Sequence, residues 1–303
     1  MFLGVDTSNY VTSLSLSDGD RIVKSVRLPL TVEMGERGLR QSDAVFQHTV
    51  NLPRAFEELG PFAPTAVGVS ATPRDCEGSY MPCFLAGVAA ATAIASSHGV
   101  PLYRFSHQRG HIAAGLYAVG KEDLHLARFI AFHVSGGTTE ITLVDHGSVT
   151  LLGGTKDISA GKAVDRIGVK LGLSFPCGST LERLASENTE KVILGKSAVN
   201  GLSCNLSGLE NQAEKAMLEG RSRAYVADLV LEQIAVVLER LSLGVKEIYP
   251  DLPILYVGGV MSNKKIRRRL EDRFHGYFAE PQLSSDNAAG IARLTALTHV
   301  RTT

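Results

Sequence analysis

The sequence predicts an α/β protein made of two similar halves, each built on a mixed β-sheet that helices cover. The main observation is a repeat: residues 1–30 and residues 128–155 both read as strand, polar turn, strand, glycine turn, strand. Each of these segments is followed by alternating helices and strands. The length of 303 residues and the hydrophobic content of 44% provide for two domains of about 150 residues each.

The rest of the first half alternates helix and strand. Helical periodicity covers residues 42–60, and a short apolar run at 66–73 predicts a buried strand. The small residues at 81–99 predict a helix closed by its final glycine. The next strand, at 100–106, leads into a helix that starts near His107.

The second half follows the same order with longer helices. Its patterns predict a helix, a long amphipathic helix, a buried strand, a basic helix and a closing helix, at residues 160–173, 222–248, 253–260, 263–274 and 284–300. Repetition places the domain boundary, because no low-complexity or long proline/serine linker separates the halves. We predict a first domain at residues 1–122, with helix 287–303 packing back on it, and a second domain at 123–286.

Composition and charge exclude several classes of function. Lys and Arg total 31 and so do Asp and Glu, so the net charge indicates no nucleic-acid, membrane or acidic partner, and the basic helix 263–274 is a weak RNA candidate. The opening MFLGVDTS lacks the features of a signal peptide, and no apolar run reaches the roughly 18 residues of a spanning helix. Four cysteines without a CxxC pair argue against disulfides or structural zinc. We expect a cytoplasmic protein without membrane contact.

The segment FSHQRGHIAAG contains a candidate pair of metal ligands. His107 and His111 are four residues apart, so on a helix both imidazoles project from one face and can meet at one ion. Metalloproteases with an HExxH motif carry a glutamate base between the histidines, whereas here the intervening residues are Gln108, Arg109 and Gly110. Spacing alone leaves open a chance pair on a helix surface.

Two hairpin turns occupy equivalent positions in the halves: DTSNYVT at residues 6–12 and SGGTTE at 135–140. In the second, Gly136 and Gly137 would allow positive φ and a close approach of backbone N–H groups to phosphates. Three hydroxyls are expected to face the same phosphates, those of Ser135, Thr138 and Thr139. A plain β-turn is the alternative. A duplicated sheet with such turns is typical of the actin, sugar-kinase and heat-shock ATPase superfamily, and predicts a nucleotide cleft between two similar halves.

Three further positions are candidates for ligand binding. In YVGGVMSN (256–263), Gly259 offers bare backbone to a nucleoside, and Asn263 either bonds ribose or base or caps the next helix. Asp165 lies within a predicted helix among apolar residues, where an unpaired carboxylate is costly unless it faces a cleft. Asp286 stands before the closing helix, as a cap or as a metal ligand.

Seven motifs, in order along nearly the whole chain, resemble those of the tRNA threonylcarbamoyladenosine synthase family, formerly called glycoproteases. They are FLGVDTS, HQRGH, HVSGGTTE, DISAGKAVDRIGVKLGLSFPCGSTLERLA, GLSCNLSGLENQA, VGGVMSN and SSDNAAGIA. The resemblance implies a reaction in which a threonylcarbamoyl group moves from an adenylate to N6 of adenosine 37 in tRNAs that read ANN codons. It makes tRNA the expected partner.

The resemblance also implies site residues. Iron(II) or zinc would be held by His107, His111 and Asp286. Together with the glycine turns, it predicts a site for ATP or threonylcarbamoyl-adenylate lined by Ser135, Gly136, Gly137, Thr138, Asp165, Gly178, Gly259 and Asn263. A metal at two imidazoles and a carboxylate would polarise the carbamoyl carbonyl and neutralise charge near the leaving phosphate.

Several positions depart from the family pattern and predict a divergent member. Tyr10 stands where an acidic residue is expected, Arg109 replaces a glutamate, and Thr138 replaces a histidine or asparagine. Cys177 and Ser179 alter a P-G-G-P loop. Arg109, an arginine near the proposed metal, would repel a second cation or bind phosphate.

Two hypotheses about function follow from these features. The favoured one is a metal-dependent threonylcarbamoyl transferase acting on tRNA, or a related carbamoyl transferase. The alternative is a non-catalytic nucleotide-binding regulator that pairs with a family-related protein through its first domain. A metalloprotease is disfavoured because no general base follows the first histidine.

Overall fold

The computed structural model describes residues 1–8, 10–32, 39–279 and 287–302. These residues form two compact units, Met1–Glu122 with Gln282–Thr303, and Asp123–Pro281. Within the described ranges, no helix is both long and apolar enough to cross a membrane.

The first unit contains a mixed five-stranded sheet in the order β3-β2-β1-β4-β5. Its elements are β1 (Phe2–Asp6), β2 (Val11–Ser17), β3 (Ile22–Pro29), α1 (Gln41–Leu59), β4 (Ala66–Thr72), α2 (Phe84–His98), β5 (Leu102–Ser106) and α3 (His107–Ala118). A C-terminal helix, α9 (Asn287–Thr302), belongs to the same unit. All five residues of β1 are buried, as expected of a central strand covered on both faces.

The second unit contains a seven-stranded sheet in the order β12-β11-β6-β7-β8-β10-β9. Its strands are β6 (Arg128–Val134), β7 (Thr139–Asp145), β8 (Ser148–Thr155), β9 (Ala198–Asn200), β10 (Ser203–Asn205), β11 (Ile254–Val257) and β12 (Tyr277–Phe278). Its helices are α4 (Ala160–Lys170), α5 (Gly178–Ser186), α6 (Gly208–Leu218), α7 (Arg223–Ile248) and α8 (Lys264–Phe274). Helix α7 is buried on more than one face and is the central helix of this unit's core.

The two sheets repeat one topology. The order β8-β7-β6-β11-β12 in the second unit reproduces the order β3-β2-β1-β4-β5 in the first, with antiparallel meander strands and parallel strands at matching places. The short hairpin β9–β10 extends the second sheet beyond β8. The predicted duplication of a mixed sheet is therefore confirmed. The hairpin and helices α5 and α6 were not predicted. The two strands of the hairpin have three residues each and carry too little periodicity to be recognised.

Candidate functional site

The predicted histidine pair lies at the start of α3. Ser106 caps this helix by accepting a hydrogen bond from the Arg109 amide at 3.2 Å. The rings of His107 and His111 are 4.4 Å apart between centroids, at an interplanar angle of 72°. The i, i+4 spacing thus brings the two imidazoles together on one face of the helix, as the sequence predicts.

An acidic side chain that was not predicted from the sequence lies beside this pair. Oδ2 of Asp6, at the end of β1, is 3.2 Å from Nδ1 of His107, and Oγ of Ser8 is 2.7 Å from the same nitrogen. Burial would raise the pKa of Asp6, but the neighbouring His107 and hydrogen bonds from His107 and Ser8 outweigh it and lower the pKa. The carboxylate therefore stays ionised and orients the imidazole.

Helix α9 supplies a further contact to the histidines. The side-chain amide of Asn287 contacts both ring nitrogens of His107, at 3.1 Å from Nε2. The close approach of α9 to α3 depends on Gly290, because a Cβ added there would lie 2.9 Å from the Ala114 amide nitrogen. Asp286, the predicted third metal ligand, precedes Asn287 in the sequence and lies outside the described residues.

The donor chemistry of this cluster fits a zinc or iron(II) ion. Two adjacent imidazoles, with a carboxylate oriented on one of them, are the groups these ions select, and a carboxylate partner commonly fixes the ring of a ligating histidine. In the ranges that the structure describes, no three His, Cys, Asp or Glu side chains form a group able to hold an ion. The metal site stays a prediction.

Arg109 and Tyr10 are two residues at which the resemblance predicts a departure from the family pattern. Nε of Arg109 is 3.8 Å from Oδ2 of Asp75, and its guanidinium lies 5.3 Å from the centroid of the Phe105 ring. The guanidinium thus lies beside an acidic group and an aromatic ring of its own unit. Tyr10 is 41% exposed and offers a phenol where the resemblance implies an acidic side chain.

In the second unit, residues 135–138 form a closed turn between β6 and β7, called the glycine turn below. The Ser135 amide donates to the Thr138 carbonyl at 2.7 Å, and the Thr138 amide donates to Oγ of Ser135 at 3.1 Å. Gly136 and Gly137 would allow positive φ, but neither residue adopts it. A Cβ added to either would meet nothing within 4 Å, so the backbone there faces open space.

The N-terminus of α4 packs directly under the glycine turn. Oγ of Ser159 donates to the Gly136 carbonyl at 2.6 Å, and the Gly161 amide donates to the Ser135 carbonyl at 3.2 Å. A Cβ at Gly161 would lie 2.5 Å from Cα of Gly136. The glycine required for close approach is therefore Gly161 in the helix.

The expected role of the Thr139 hydroxyl also changes. Thr139 is only 3% exposed, and its Oγ1 accepts a hydrogen bond from the Ala160 amide at 2.9 Å. The expectation that it faces phosphate was wrong, because the hydroxyl satisfies an amide in the first turn of α4. Ser135 likewise uses its hydroxyl inside the turn.

Asp165 and Gly178 are brought together by the loop before α5. Oδ1 of Asp165 accepts a hydrogen bond from the Cys177 amide at 2.8 Å, and Gly178 is the exposed first residue of α5. Burial raises the pKa of Asp165, and the bond from Cys177 only partly opposes it. Burial raises the pKa of the Cys177 thiol, and the neighbouring Asp165 carboxylate raises it further, which favours the protonated thiol.

Asn263 lies next to this group through a contact between helices α5 and α8. Oε1 of Glu182 on α5 accepts a hydrogen bond from the Lys264 amide at 2.7 Å. Asn263 is 8% exposed and caps α8 by accepting a bond from the Ile266 amide at 3.1 Å. The capping alternative for Asn263 is therefore observed.

The roles of Gly258 and Gly259, the two glycines after β11, differ from the expectation. Gly258 has φ +102°, and a Cβ there would collide with the carbonyl of Val134, the residue before the glycine turn. Gly259 is exposed, has no positive φ and would have room for a side chain. Close packing thus requires Gly258, while Gly259 presents open backbone.

The basic helix α8 is paired with acidic residues of α7. Its ion pairs are Lys265 with Asp228, Arg269 with Glu232 at 3.0 Å, Arg269 with Glu239 at 3.0 Å and Arg273 with Glu239 at 2.7 Å. These contacts weaken the case for α8 as an RNA-binding patch, because three of its cations are paired within the unit.

Comparisons with known proteins agree on fold and family. The chain aligns over 99% of its length with component A of the (R)-2-hydroxyglutaryl-CoA dehydratase of Acidaminococcus fermentans, covering 98% of that chain with a TM-score of 0.60 and 16% identity. It aligns over its full length with 99% of the ROK hexokinase of Thermus thermophilus, with a TM-score of 0.51 and 15% identity. These likenesses show the actin-like ATPase and sugar-kinase fold.

Sequence comparison is more specific. The chain is 30% identical over 315 residues to the tRNA N6-adenosine threonylcarbamoyltransferase of Geobacillus kaustophilus, and the match covers 96% of this chain and 89% of that protein. The family model for tRNA N6-adenosine threonylcarbamoyltransferase matches residues 47–293. This range includes both histidines, the glycine turn and the start of α9. The chain therefore belongs to the tRNA N6-adenosine threonylcarbamoyltransferase (TsaD) family.

Proposed function

We propose that this chain binds ATP or an adenylate at the glycine turn of its second unit and transfers a threonylcarbamoyl group from the adenylate to N6 of adenosine 37 of tRNA. The observation that carries the proposal is the construction of the turn. Its exposed backbone at Gly136 and Gly137 faces open space, while α4 and Gly258 hold it from beneath. A rigid turn with accessible amides is how loops bind phosphate groups.

The residues of the second unit supply binding and orientation. The bonds that close the turn use the amides of Ser135 and Thr138, which leaves the amides of Gly136 and Gly137 to donate to phosphate oxygens. Gly259 would lie against the nucleoside. With these contacts, the chain holds the AMP phosphate as the bond from phosphate to the carbamoyl carbon breaks.

His107, His111 and Asp286 would hold a divalent ion in the first unit. When bound, such an ion supplies polarisation of a carbonyl and neutralisation of negative charge. Asp6 and Ser8 contact Nδ1 of His107, so Nε2 would be the nitrogen that binds the ion, in place of its 3.1 Å contact with the Asn287 amide. The adenine N6 gains the bond to the carbamoyl carbon and loses one proton, and AMP leaves.

Mass spectrometry of tRNA nucleosides tests the reaction directly. In cells that lack other family members, deletion of the gene is expected to abolish threonylcarbamoyladenosine, and the wild-type gene to restore it. The double variant His107→Ala, His111→Ala should fail to restore it. Arg21→Ala is the matched control, since its side chain is 79% exposed and pairs only at the surface. An unchanged nucleoside level on deletion would refute the tRNA assignment.

A nucleotide-binding regulator is the second candidate. Tyr10 in place of an acidic group favours it, and so do exposed apolar side chains on α1 and α2. Phe46 and Val50 on α1 are 69% and 49% exposed, and Leu85 on α2 is 50% exposed, which suits a family-related protein partner. This candidate predicts ATP binding without transfer, together with a complex that Phe46→Glu breaks in size-exclusion chromatography. Transfer by the purified chain alone would rule it out.

A further inference from the structure

The carboxylate of Asp157, in the loop between β8 and α4, gathers hydrogen bonds from separate segments of the second unit. Within its own loop it accepts bonds from the Thr155 hydroxyl at 2.9 Å and the Ile158 amide at 2.7 Å. From the loop before α6 it accepts bonds from the Leu206 amide at 2.8 Å and from Ser207, through the amide at 3.0 Å and the hydroxyl at 2.5 Å. The Asp157 side chain thus links the loop between β8 and α4 to the loop before α6.

This arrangement requires an ionised carboxylate. Burial alone would raise the pKa of Asp157, but the hydrogen-bond donors around it lower the pKa well below its ordinary value. An asparagine of the same shape would turn its side-chain NH2 group, a donor, toward one of these donors. The contact is therefore sensitive to the exchange of a single atom.

The same loop reaches the glycine turn within a few residues. Two positions after Asp157, the Ser159 hydroxyl donates to the Gly136 carbonyl, and Gly161 packs against the turn with no space for a Cβ. Because Gly161 has no space for a Cβ beside the turn, we expect a shift of residue 157 to displace the turn through this short segment.

The loop that carries Asp157 contacts two segments with different family motifs, the loop before α6 through Asp157 and the glycine turn through Ser159. The glycine turn lies in HVSGGTTE, and the loop before α6 lies in GLSCNLSGLENQA, which resembles the substrate region of the family. We propose that Asp157 is a positioning residue that fixes the loop before α6, at residues 206–207, relative to the glycine turn, so that both are ordered before nucleotide binds. This inference rests on the proposed nucleotide site.

Hydrogen–deuterium exchange of the full chain without ligand tests the connection. In Asp157→Asn, we expect about tenfold faster exchange both at residues 206–207 and at residues 135–138, the size of change that follows from losing a charged hydrogen bond. In Ser159→Ala, exchange should rise at 135–138 and stay unchanged at 206–207. If Asp157→Asn alters 206–207 alone, the carboxylate has a local role and the proposal is wrong.

Asp18→Asn is the matched control. Asp18 also accepts two loop amides, from Asp20 at 3.0 Å and Arg21 at 2.9 Å, but it belongs to the first unit. Its variant should leave exchange at 135–138 unchanged.

Calorimetry with ATP separates this inference from the function on which it rests. Asp157→Asn should bind ATP about tenfold more weakly than wild type. In this variant, ordering the glycine turn and residues 206–207 would use part of the free energy of ATP binding. Equal affinity would overturn the positioning role. If wild type binds no ATP while exchange at the two loops is still coupled, the proposed function fails and the structural connection stands.

Discussion

Replacing Gly161 with alanine is the most direct test of how the glycine turn is held. The added Cβ would lie 2.5 Å from Cα of Gly136, and 2.6 Å from its amide nitrogen and from the Ser135 carbonyl oxygen. Carbon atoms prefer separations of about 3.5 Å or more, so the turn or the helix must move by about 1 Å. All three neighbours are backbone atoms, which cannot rotate away. The Gly161→Ala variant is therefore expected to displace the turn.

The energetic cost can be estimated from two opposing effects. Overpacking of this kind costs about 1–3 kcal/mol. Alanine in place of glycine in a helix gains up to about 1 kcal/mol. We expect Gly161→Ala to lower the free energy of unfolding by about 1–2 kcal/mol and to weaken ATP binding, because the amides of the turn lose their alignment.

Gly137→Ala is the matched control for stability. Gly137 lacks positive φ and has open space around its Cα, so alanine should be neutral or stabilising by up to about 1 kcal/mol. Its methyl group would nevertheless occupy the space proposed for phosphate, and valine would fill more of it. Weaker ATP binding with unchanged or increased stability is therefore the expected result.

Urea unfolding and calorimetry with ATP measure both quantities on the same preparations. Gly161→Ala with full stability and full affinity would show that α4 does not hold the turn. Loss of stability with unchanged affinity would place the nucleotide elsewhere. If Gly137→Val binds ATP as well as wild type does, the proposed phosphate contact is wrong.

Three further outcomes are expected. Arg293→Ala should lower the free energy of unfolding, measured by urea titration, by about 3–5 kcal/mol, because the 5%-exposed guanidinium makes a bidentate pair with Glu122. A loss below about 1 kcal/mol, typical of surface pairs, would contradict this prediction. The double variant His107→Ala, His111→Ala should lose bound zinc or iron in elemental analysis, and equal metal content in both proteins would refute the site. Arg109→Glu should keep its metal content but change binding of tRNA or of a protein partner, because local charge shifts by two units; a change in metal content would contradict the prediction.

The duplicated fold could be predicted because its signal is long and repeated. Two meanders with the same strand and turn pattern stand about 130 residues apart, and the observed strand orders repeat in the same way. Short elements are different. The β9–β10 hairpin forms because β8 offers a free edge, which is a property of the assembled sheet and not of residues 198–205.

The candidate sites were predictable only where the partners are close in sequence. The spacing of His107 and His111 predicts their meeting directly. Asp6 is 101 residues from His107, and the two meet because β4 pairs with both β1 and β5, which places the ends of β1 and β5 at one edge of the sheet. No local pattern carries that information. One signal could have indicated Gly161, namely a glycine in the first turn of a helix, where it lowers helix propensity without an evident local reason.

The glycines of the second unit show why a motif alone misassigns structural roles. Gly136 and Gly137 define the turn in the sequence, yet neither needs to be glycine for the backbone to adopt its conformation. Gly161 and Gly258 lie outside the turn, and each has no space for a Cβ because it packs against the backbone at or next to the turn. Gly161 and Gly258 thus allow close packing against the turn, whereas Gly136 and Gly137 leave its backbone accessible. A side chain at Gly136 or Gly137 would meet open space, so the proposed approach of a ligand is the reason we offer for two consecutive glycines there.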